Sequence, residues 1–308
     1  MSRKSMTRKT ATPFDVNGRT VFITGAARGI GAETARRLYA KGANVALVGL
    51  EPERLEELAA QLGERAVSFE VDVTDYDALQ RAVRGTIERF GALDVAIANA
   101  GVQFNGALAT APIEQIERTL AVNLLGVWRT DRAVIEHITA RRGYLLNISS
   151  LSAIAHAPLL GAYSTAKAGV EALSDALRLE SIPSGARVGC AYFGFIDTDL
   201  VRGGFAGPSG QAARNQMPGF ISKPAPLAKA IDAIEDGIER RAARIWAPRW
   251  LGPMLVLRGI VQPIMELGVG RDPGPLAESM RLAESSTGEV PEPDPLLGVA
   301  AVAIEPTP

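Results

Sequence analysis

One stretch constrains this chain more than any other. Thr20-Val-Phe-Ile-Thr24, a short β-branched run, passes directly into Gly25-Ala-Ala-Arg-Gly-Ile-Gly31 and then into a helical segment from Ala32 to Lys41. Such a run reads as a strand buried on both faces, as in parallel sheets. A strand that enters a glycine turn and leaves as a helix commits the chain to a strand–helix–strand crossover, and a second apolar strand follows at Asn44-Val-Ala-Leu-Val48. Glycines in that position let the backbone approach a pyrophosphate, whose charge meets the amides and the positive end of the following helix. The expectation is a dinucleotide-binding turn formed by Thr24, Gly25, Arg28, Gly29, Ile30 and Gly31.

The alternation continues. A helix from Pro52 to Leu62 leads to a strand from Ala66 to Val71 that ends in Asp72-Val73. A helix from Tyr76 to Phe90 leads to Leu93-Asp-Val-Ala-Ile-Ala98, followed by Asn99-Ala100-Gly101. A long helical segment from Ile113 to Ala140 carries Asn123 in its middle, where asparagine is a poor helix former and needs a reason, either a kink it caps or a polar task. Tyr144-Leu-Leu-Asn-Ile148 ends at Ser149-Ser150, and Val188–Phe193 ends at Gly194-Phe-Ile-Asp-Thr198. The chain is therefore expected to be α/β, a Rossmann-type doubly wound parallel sheet of about seven strands over residues 14–248, with ligands at the carboxyl ends of the strands.

Tyr163-Ser-Thr-Ala-Lys167 places a phenol and an ammonium one turn apart on one helix face. A free tyrosine has a pKa of about 10, and each unit of downward shift requires roughly 1.4 kcal/mol of preferential phenolate stabilisation. A fixed ammonium nearby favours the ionised form, so the pair is a candidate proton donor and acceptor.

Charge excludes some partners. Thirty-three basic against thirty-four acidic side chains leave a formal charge of −1, so no global field recruits nucleic acid. The N-terminal residues up to 13 read as a basic, irregular tail with no apolar segment behind them, which makes the cytoplasm the expected location. The single cysteine, Cys190, lies in a strand and reads as a small hydrophobe. The Gly- and Pro-rich stretch from Arg202 to Pro226 is expected to be a mobile lid. Residues 249–271 read as an apolar helical extension covering the pocket or a subunit contact, with membrane-surface contact by 250–268 as an alternative, and 272–308 as a mostly irregular acidic tail.

Taken together, T-G-x-x-x-G-x-G at Thr24 to Gly31, Asn99-Ala-Gly101, Asn123, and Ser150 thirteen residues before Tyr163 resemble the short-chain dehydrogenase/reductase family over residues 16 to 248. The resemblance implies an NAD(P)(H)-dependent oxidoreductase with Tyr163 as general acid or base. Lys167 would lower the phenol's pKa and hold the nicotinamide ribose, Ser150 would hold the substrate oxygen, and Asn123 would pin a water linking Lys167 to solvent. Asp72 and Val73 would contact the adenine, while Asn99, Ala100, Gly101, Ile196 and Thr198 would border the rest of the cofactor. It implies no metal, and a homodimer or homotetramer.

The chain departs from that pattern twice. The second strand ends in Val48-Gly49-Leu50, without the usual acidic residue for the ribose diol; Glu51 is displaced, and Arg28 is available to a 2′-phosphate. NADP(H) is therefore favoured, with NAD(H) open. Phe193 stands where the family has proline before Gly194, which would bring an aromatic ring near the nicotinamide. Leu151, Ile154, Phe193, Phe195 and Phe205 are the expected substrate lining, suited to a small apolar ketone or secondary alcohol, lipid- or steroid-like. The alternative is a catalytically silent cofactor-binding redox sensor or scaffold acting through the C-terminal extension.

Overall fold

The computed structural model describes residues 13–215, 217 and 219–287. The segments expected to be irregular at 1–12 and from 288 onward lie outside the described residues. Strands β1 (Thr20–Thr24), β2 (Asn44–Gly49), β3 (Ala66–Glu70), β4 (Val95–Ala98), β5 (Tyr144–Ile148), β6 (Arg187–Phe193) and β7 (Arg244–Ala247) form one sheet. Their order is β3-β2-β1-β4-β5-β6-β7 and every pairing is parallel. The order reverses between β1 and β4, which opens a crevice at their carboxyl ends.

Residues one apart along each strand face opposite helix layers, so both faces are apolar. Val21, Ile23, Val45 and Leu47 pack with Ala35 and Leu38 of helix α1 (Gly29–Ala40), while Phe22, Ala46 and Val48 pack in a cluster with Leu79 and Val83. Burying each such Val, Leu, Ile or Phe contributes about 1.5–3 kcal/mol. Helix α2 (Pro52–Leu62) buries Leu55 and Leu58, and α3 (Tyr76–Phe90) is capped by Asp75, whose carboxylate accepts from the Ala78 amide at 2.9 Å.

The long helical segment is real but not uniform. Helix α4 (Ile113–Leu120) runs through a π-turn at Ala121–Leu125 into α5 (Gly126–Ala140). Asn123 sits inside that turn and is fully buried. Helix α6 (Gly161–Glu180) then carries Tyr163 and Lys167.

Beyond β6 the structure is more regular than the sequence suggests. The Gly- and Pro-rich stretch forms helices α7 (Asp199–Ala206), α8 (Pro208–Asn215) and α9 (Gly219–Ser222). After α10 (Leu227–Arg240) and β7 come α11 (Leu251–Val256) and α12 (Arg258–Arg271), the latter with Pro263 inside it. A correction applies to the acidic tail expected from residue 272: Gly274–Thr287 forms helix α13. Its apolar side, with Met280 and Ala283, packs on Ala107 and Leu159, and that tertiary contact holds a helix whose own periodicity is weak. Among the described residues, no helix is long and apolar enough to cross a membrane.

Candidate active site

The glycine turn is defined by backbone approach. Gly25 and Gly29 have φ of +64° and +56°, in the left-handed region that glycine tolerates best. A Cβ on Gly25 would stand 2.8 Å from the Ala100 Cα, and one on Gly31 would collide with the Gly25 carbonyl oxygen. The helix begins at Gly29, three residues earlier than the periodicity indicates, so the last glycines form its first turn, and no side chain caps it. Its leading amides and dipole stay open toward the crevice. Thr198 closes the opposite side, its Cγ2 3.6 Å from where a Gly29 Cβ would be. A pyrophosphate fits this cradle.

Several expected cofactor residues act underneath it. The Thr24 hydroxyl accepts from the amides of Asn99 and Ala100 at 3.0 and 3.1 Å, and the Asn99 amide donates to the Thr24 and Gly25 carbonyls. Thr24 is buried, so it braces the turn and does not line the crevice. Val73 and Ile196 are also buried and pack in the core. The Asp72 carboxylate accepts from the Thr74 amide at 2.8 Å and orders its own turn. Gly49 leaves space, with the nearest atom to an added Cβ being Leu55 Cδ1 at 3.7 Å, and Leu50 is partly exposed beside it.

Arg28 is not the free cation expected. Its Nε lies 3.4 Å from Glu51 Oε2. The other Glu51 oxygen, Oε1, is buried and makes no hydrogen bond, with the Arg54 guanidinium 3.9 Å away. Opposite charges on adjacent turns found each other, as the spacing of the two residues in sequence did not reveal.

The catalytic candidates converge at the carboxyl end of β5. The Lys167 ammonium donates to the Ile148 carbonyl at 2.8 Å, and the Ser149 hydroxyl donates to the Lys167 carbonyl at 2.9 Å, so strand and helix are stitched twice. The Lys167 Nζ lies 5.6 Å from the centre of the Tyr163 ring. Tyr163 is half-buried, while Lys167 is buried. The Ser150 hydroxyl accepts from the Ser152 amide at 3.1 Å and donates to the Phe193 carbonyl at 3.4 Å, and its presence beside Tyr163 favours the phenolate.

Burial pushes the Tyr163 phenol up to about 12, and only the Ser150 hydrogen bond pulls it down. Burial pushes the Lys167 ammonium down to about 8. Burial is the largest influence on both groups, and the ammonium is directed to the Ile148 carbonyl.

Asn123 has both ends of its amide engaged. Its Oδ1 accepts from the Val102 amide at 3.0 Å and its Nδ2 donates to the Val102 carbonyl at 2.8 Å. That clamp pins the strand-end loop to the π-turn, and Gly101 is needed beside it because a Cβ there would lie 2.7 Å from Asn123 Oδ1. The side chain thereby positions the backbone of residue 102.

The apolar lining divides. Phe195 and Phe205 pack with ring centres 4.8 Å apart and border a narrow cleft with Gln103, Asn105 and Leu159. Phe193, Leu151 and Ile154 do not border it. Phe193 is buried with the α1 and α10 residues on the far face of the sheet, and Leu151 and Ile154 are buried against α11 and α12. Strand parity sends Phe193 away from the crevice. Gln103 and Asn105 were missed because nothing in a loop's spacing marks them; they are held by Gln103 Nε2 to Asn105 Oδ1 at 3.1 Å and Asn105 Nδ2 to the Gly204 carbonyl at 2.7 Å. A larger cavity, about 370 Å³, lies between Phe14, Leu38, Lys41 and Glu239 at the amino ends of the strands, away from this constellation.

The family model for short chain dehydrogenases matches residues 19–207. The chain is 34% identical over 222 residues to cis-4-hydroxycyclohexanecarboxylate dehydrogenase of Sinomonas cyclohexanicum, covering 69% of this chain and 87% of that one. It is 31% identical over 224 residues to 3beta-hydroxysteroid dehydrogenase 1 of Eggerthella lenta, covering 70% and 86%. The 2-(R)-hydroxypropyl-CoM dehydrogenase of Xanthobacter autotrophicus is 33% identical over 192 residues, 60% of this chain and 77% of that one. Among solved structures, a short chain dehydrogenase/reductase from Burkholderia phymatum in complex with NAD has the same fold, with a TM-score of 0.70 at 21% identity over 83% of this chain and 96% of that one.

Proposed function

We propose that this chain, which belongs to the short chain dehydrogenase family and is therefore an oxidoreductase acting on CH–OH groups with a nicotinamide cofactor, uses Tyr163 as its general acid and base. The observation that carries this is the convergence of Ser150, Tyr163 and Lys167 at the carboxyl end of β5, on the same edge of the parallel sheet as the uncapped glycine turn. When bound, the nicotinamide supplies or accepts the hydride. In the reducing direction the Tyr163 hydroxyl gives its proton to the carbonyl oxygen, while Ser150 donates to the same oxygen and fixes its position. In the oxidising direction the two transfers reverse. Lys167, charged below about pH 8, offsets the negative charge left on the phenol. Asn123 keeps the 102 loop and the π-turn in register.

Cofactor choice turns on Arg28 and Glu51. A guanidinium already paired has less to offer a 2′-phosphate, and the Glu51 carboxylate, held between Arg28 and Arg54, puts a negative charge beside the turn that disfavours a 2′-phosphate and suits a ribose diol. This supports NAD(H), in place of the NADP(H) favoured by the sequence. The substrate is proposed to be a small apolar ketone or secondary alcohol, since Phe195 and Phe205 present rings to the cleft and Gln103 and Asn105 supply its neutral polar edge. A cyclic alcohol is consistent with the relatives named for hydroxycyclohexanecarboxylate and hydroxysteroid oxidation.

The test is a panel of cyclic and steroid alcohols and ketones assayed with both cofactors, beside thermal shift with each cofactor alone. NAD(H)-dependent turnover with a larger shift for NAD(H) is expected. Cofactor binding without turnover on any carbonyl or alcohol would instead support the silent sensor.

A further inference from the structure

The chain between Ser150 and Tyr163 is a loop with a short 3₁₀ turn at Leu151–Ala153, and its course sets the distance between two proposed catalytic groups. Four observations show what holds it. Ile154 and Ala155 are buried against Leu251, Met254 and Val261 of α11 and α12. The His156 amide donates to Gln262 Oε1 of α12 at 3.0 Å. Leu159, a bulky residue at φ +65°, is buried against Met280 and Ala283 of α13, while its carbonyl accepts from the Gly106 amide at 2.8 Å. A γ-branched residue in that region is costly and persists only when its surroundings impose it.

The fourth observation ties this arm to the catalytic helix. Arg258, at the start of α12, makes a two-pronged ion pair with Glu171, Nη1 to Oε1 and Nη2 to Oε2, the latter at 3.0 Å. The Glu171 side chain is 5% exposed and lies one turn after Lys167, which is itself one turn after Tyr163. A buried carboxylate with a bidentate guanidinium is a directional joint, because the planar fork accepts little rotation. The arm therefore grips α6 at Glu171 and the loop at His156, and both grips come from α12. None of these arm residues falls within the stretch that matches the family model.

We infer that Arg258 and Gln262 are positioning residues for the reaction: by locking α12 onto the catalytic helix they hold the 151–160 loop in place and so determine which substrates fit beside Tyr163. The inference rests on the proposed enzymatic reading of the site, and its test separates the two. Hydrogen exchange at the amides of residues 152–160 is measured in the full chain for Arg258→Met, Arg258→Lys and Gln262→Ala, with exposed Arg271→Met on the same helix as control. KM and kcat are measured on the best substrate from the panel, and the cofactor dissociation constant by titration. Arg258→Met and Gln262→Ala speed exchange in the loop by about tenfold and raise KM by about tenfold, with kcat changed by less than about threefold and cofactor affinity unchanged. Arg258→Lys recovers part of both effects, and Arg271→Met leaves both at wild-type values. Should Arg258→Met fail to fold, Gln262→Ala carries the test, since it leaves the ion pair intact. Wild-type exchange across the loop in folded variants overturns the inference. Faster exchange in a protein that turns nothing over keeps the anchoring and removes the enzymatic reading.

Discussion

The glycine turn after β1 and the helical arm after β7 both close over the crevice side of the molecule, and they are built on opposite principles. The turn works through backbone: φ values only glycine adopts easily, an added Cβ without room, and amides left free by an uncapped helix. The arm works through side chains that meet partners far away in the chain, Arg258 with Glu171 and Gln262 with His156. Between them stands α6, whose Tyr163 and Lys167 depend on neither element for their spacing. The difference teaches which parts of such a site tolerate change: backbone cradles fail on addition of one carbon, whereas side-chain joints fail gradually.

Four measurements sharpen that contrast, and the largest effect lies at its midpoint. Tyr163→Phe removes the proton donor while keeping the ring, so turnover falls by about 10²–10⁴-fold and cofactor affinity stays near wild type. Turnover retained in the folded variant would remove Tyr163 from the mechanism. In the turn, Gly31→Ala pushes a methyl into the Gly25 carbonyl, and we expect loss of about 1–3 kcal/mol in stability together with weakened cofactor binding. Calorimetry with and without cofactor reads both, and an unperturbed variant would break the backbone side of the comparison.

A buried pair on the sheet's other face gives a smaller, pH-dependent effect. Asp131 accepts from Asn147 Nδ2 at 2.8 Å, and burial pushes its carboxyl up to about 8. Between its ordinary value and about pH 8 the folded state holds a proton the unfolded state has released, so Asp131 makes stability fall as pH rises through that window. Lys167 acts oppositely: between about pH 8 and its ordinary value the unfolded state holds the extra proton, and stability rises with pH. Asp131→Asn also supplies a donor near Asn147 Oδ1, which has no partner, and should raise Tm at pH 9 by roughly 5 °C while changing little near pH 4. Equal shifts at both pH values would contradict the assigned titration.

The smallest effect is expected on the arm's outer surface. Val256, Leu257, Ile260, Ile264 and Leu267 are all more than half exposed, so Ile264→Ser should change stability by less than about 0.5 kcal/mol. A greater loss by denaturant titration would mean that this face is covered in solution.

Much of the fold was legible because strands and helices in this chain are nearly all local patterns. β1 and β5 match their sequence-derived limits, and those of β2, β3, β4 and β6 differ by one or two residues, since a two-sided apolar run has one way to sit between helix layers. The odd asparagine in a long helix pointed to a defect, and Asn123 occupies a π-turn. Apolar lining was legible only in part. Being apolar places Phe193, Leu151 and Ile154 inside, but which side of a strand or loop they face depends on register and on what packs there. The helical form of Gly274–Thr287 was hidden because its stabilising contacts lie on Ala107 and Leu159.

By itself the sequence determined the sheet, the glycine turn and the one-turn spacing of Tyr163 and Lys167, because covalent neighbours and fixed periods dictate them. Tertiary structure alone decided the desolvation of that pair, the engagement of Arg28 by Glu51 and the anchoring of the loop through Arg258. Each of these depends on desolvation or on the meeting of groups distant in the chain, and neither quantity exists until the chain has folded.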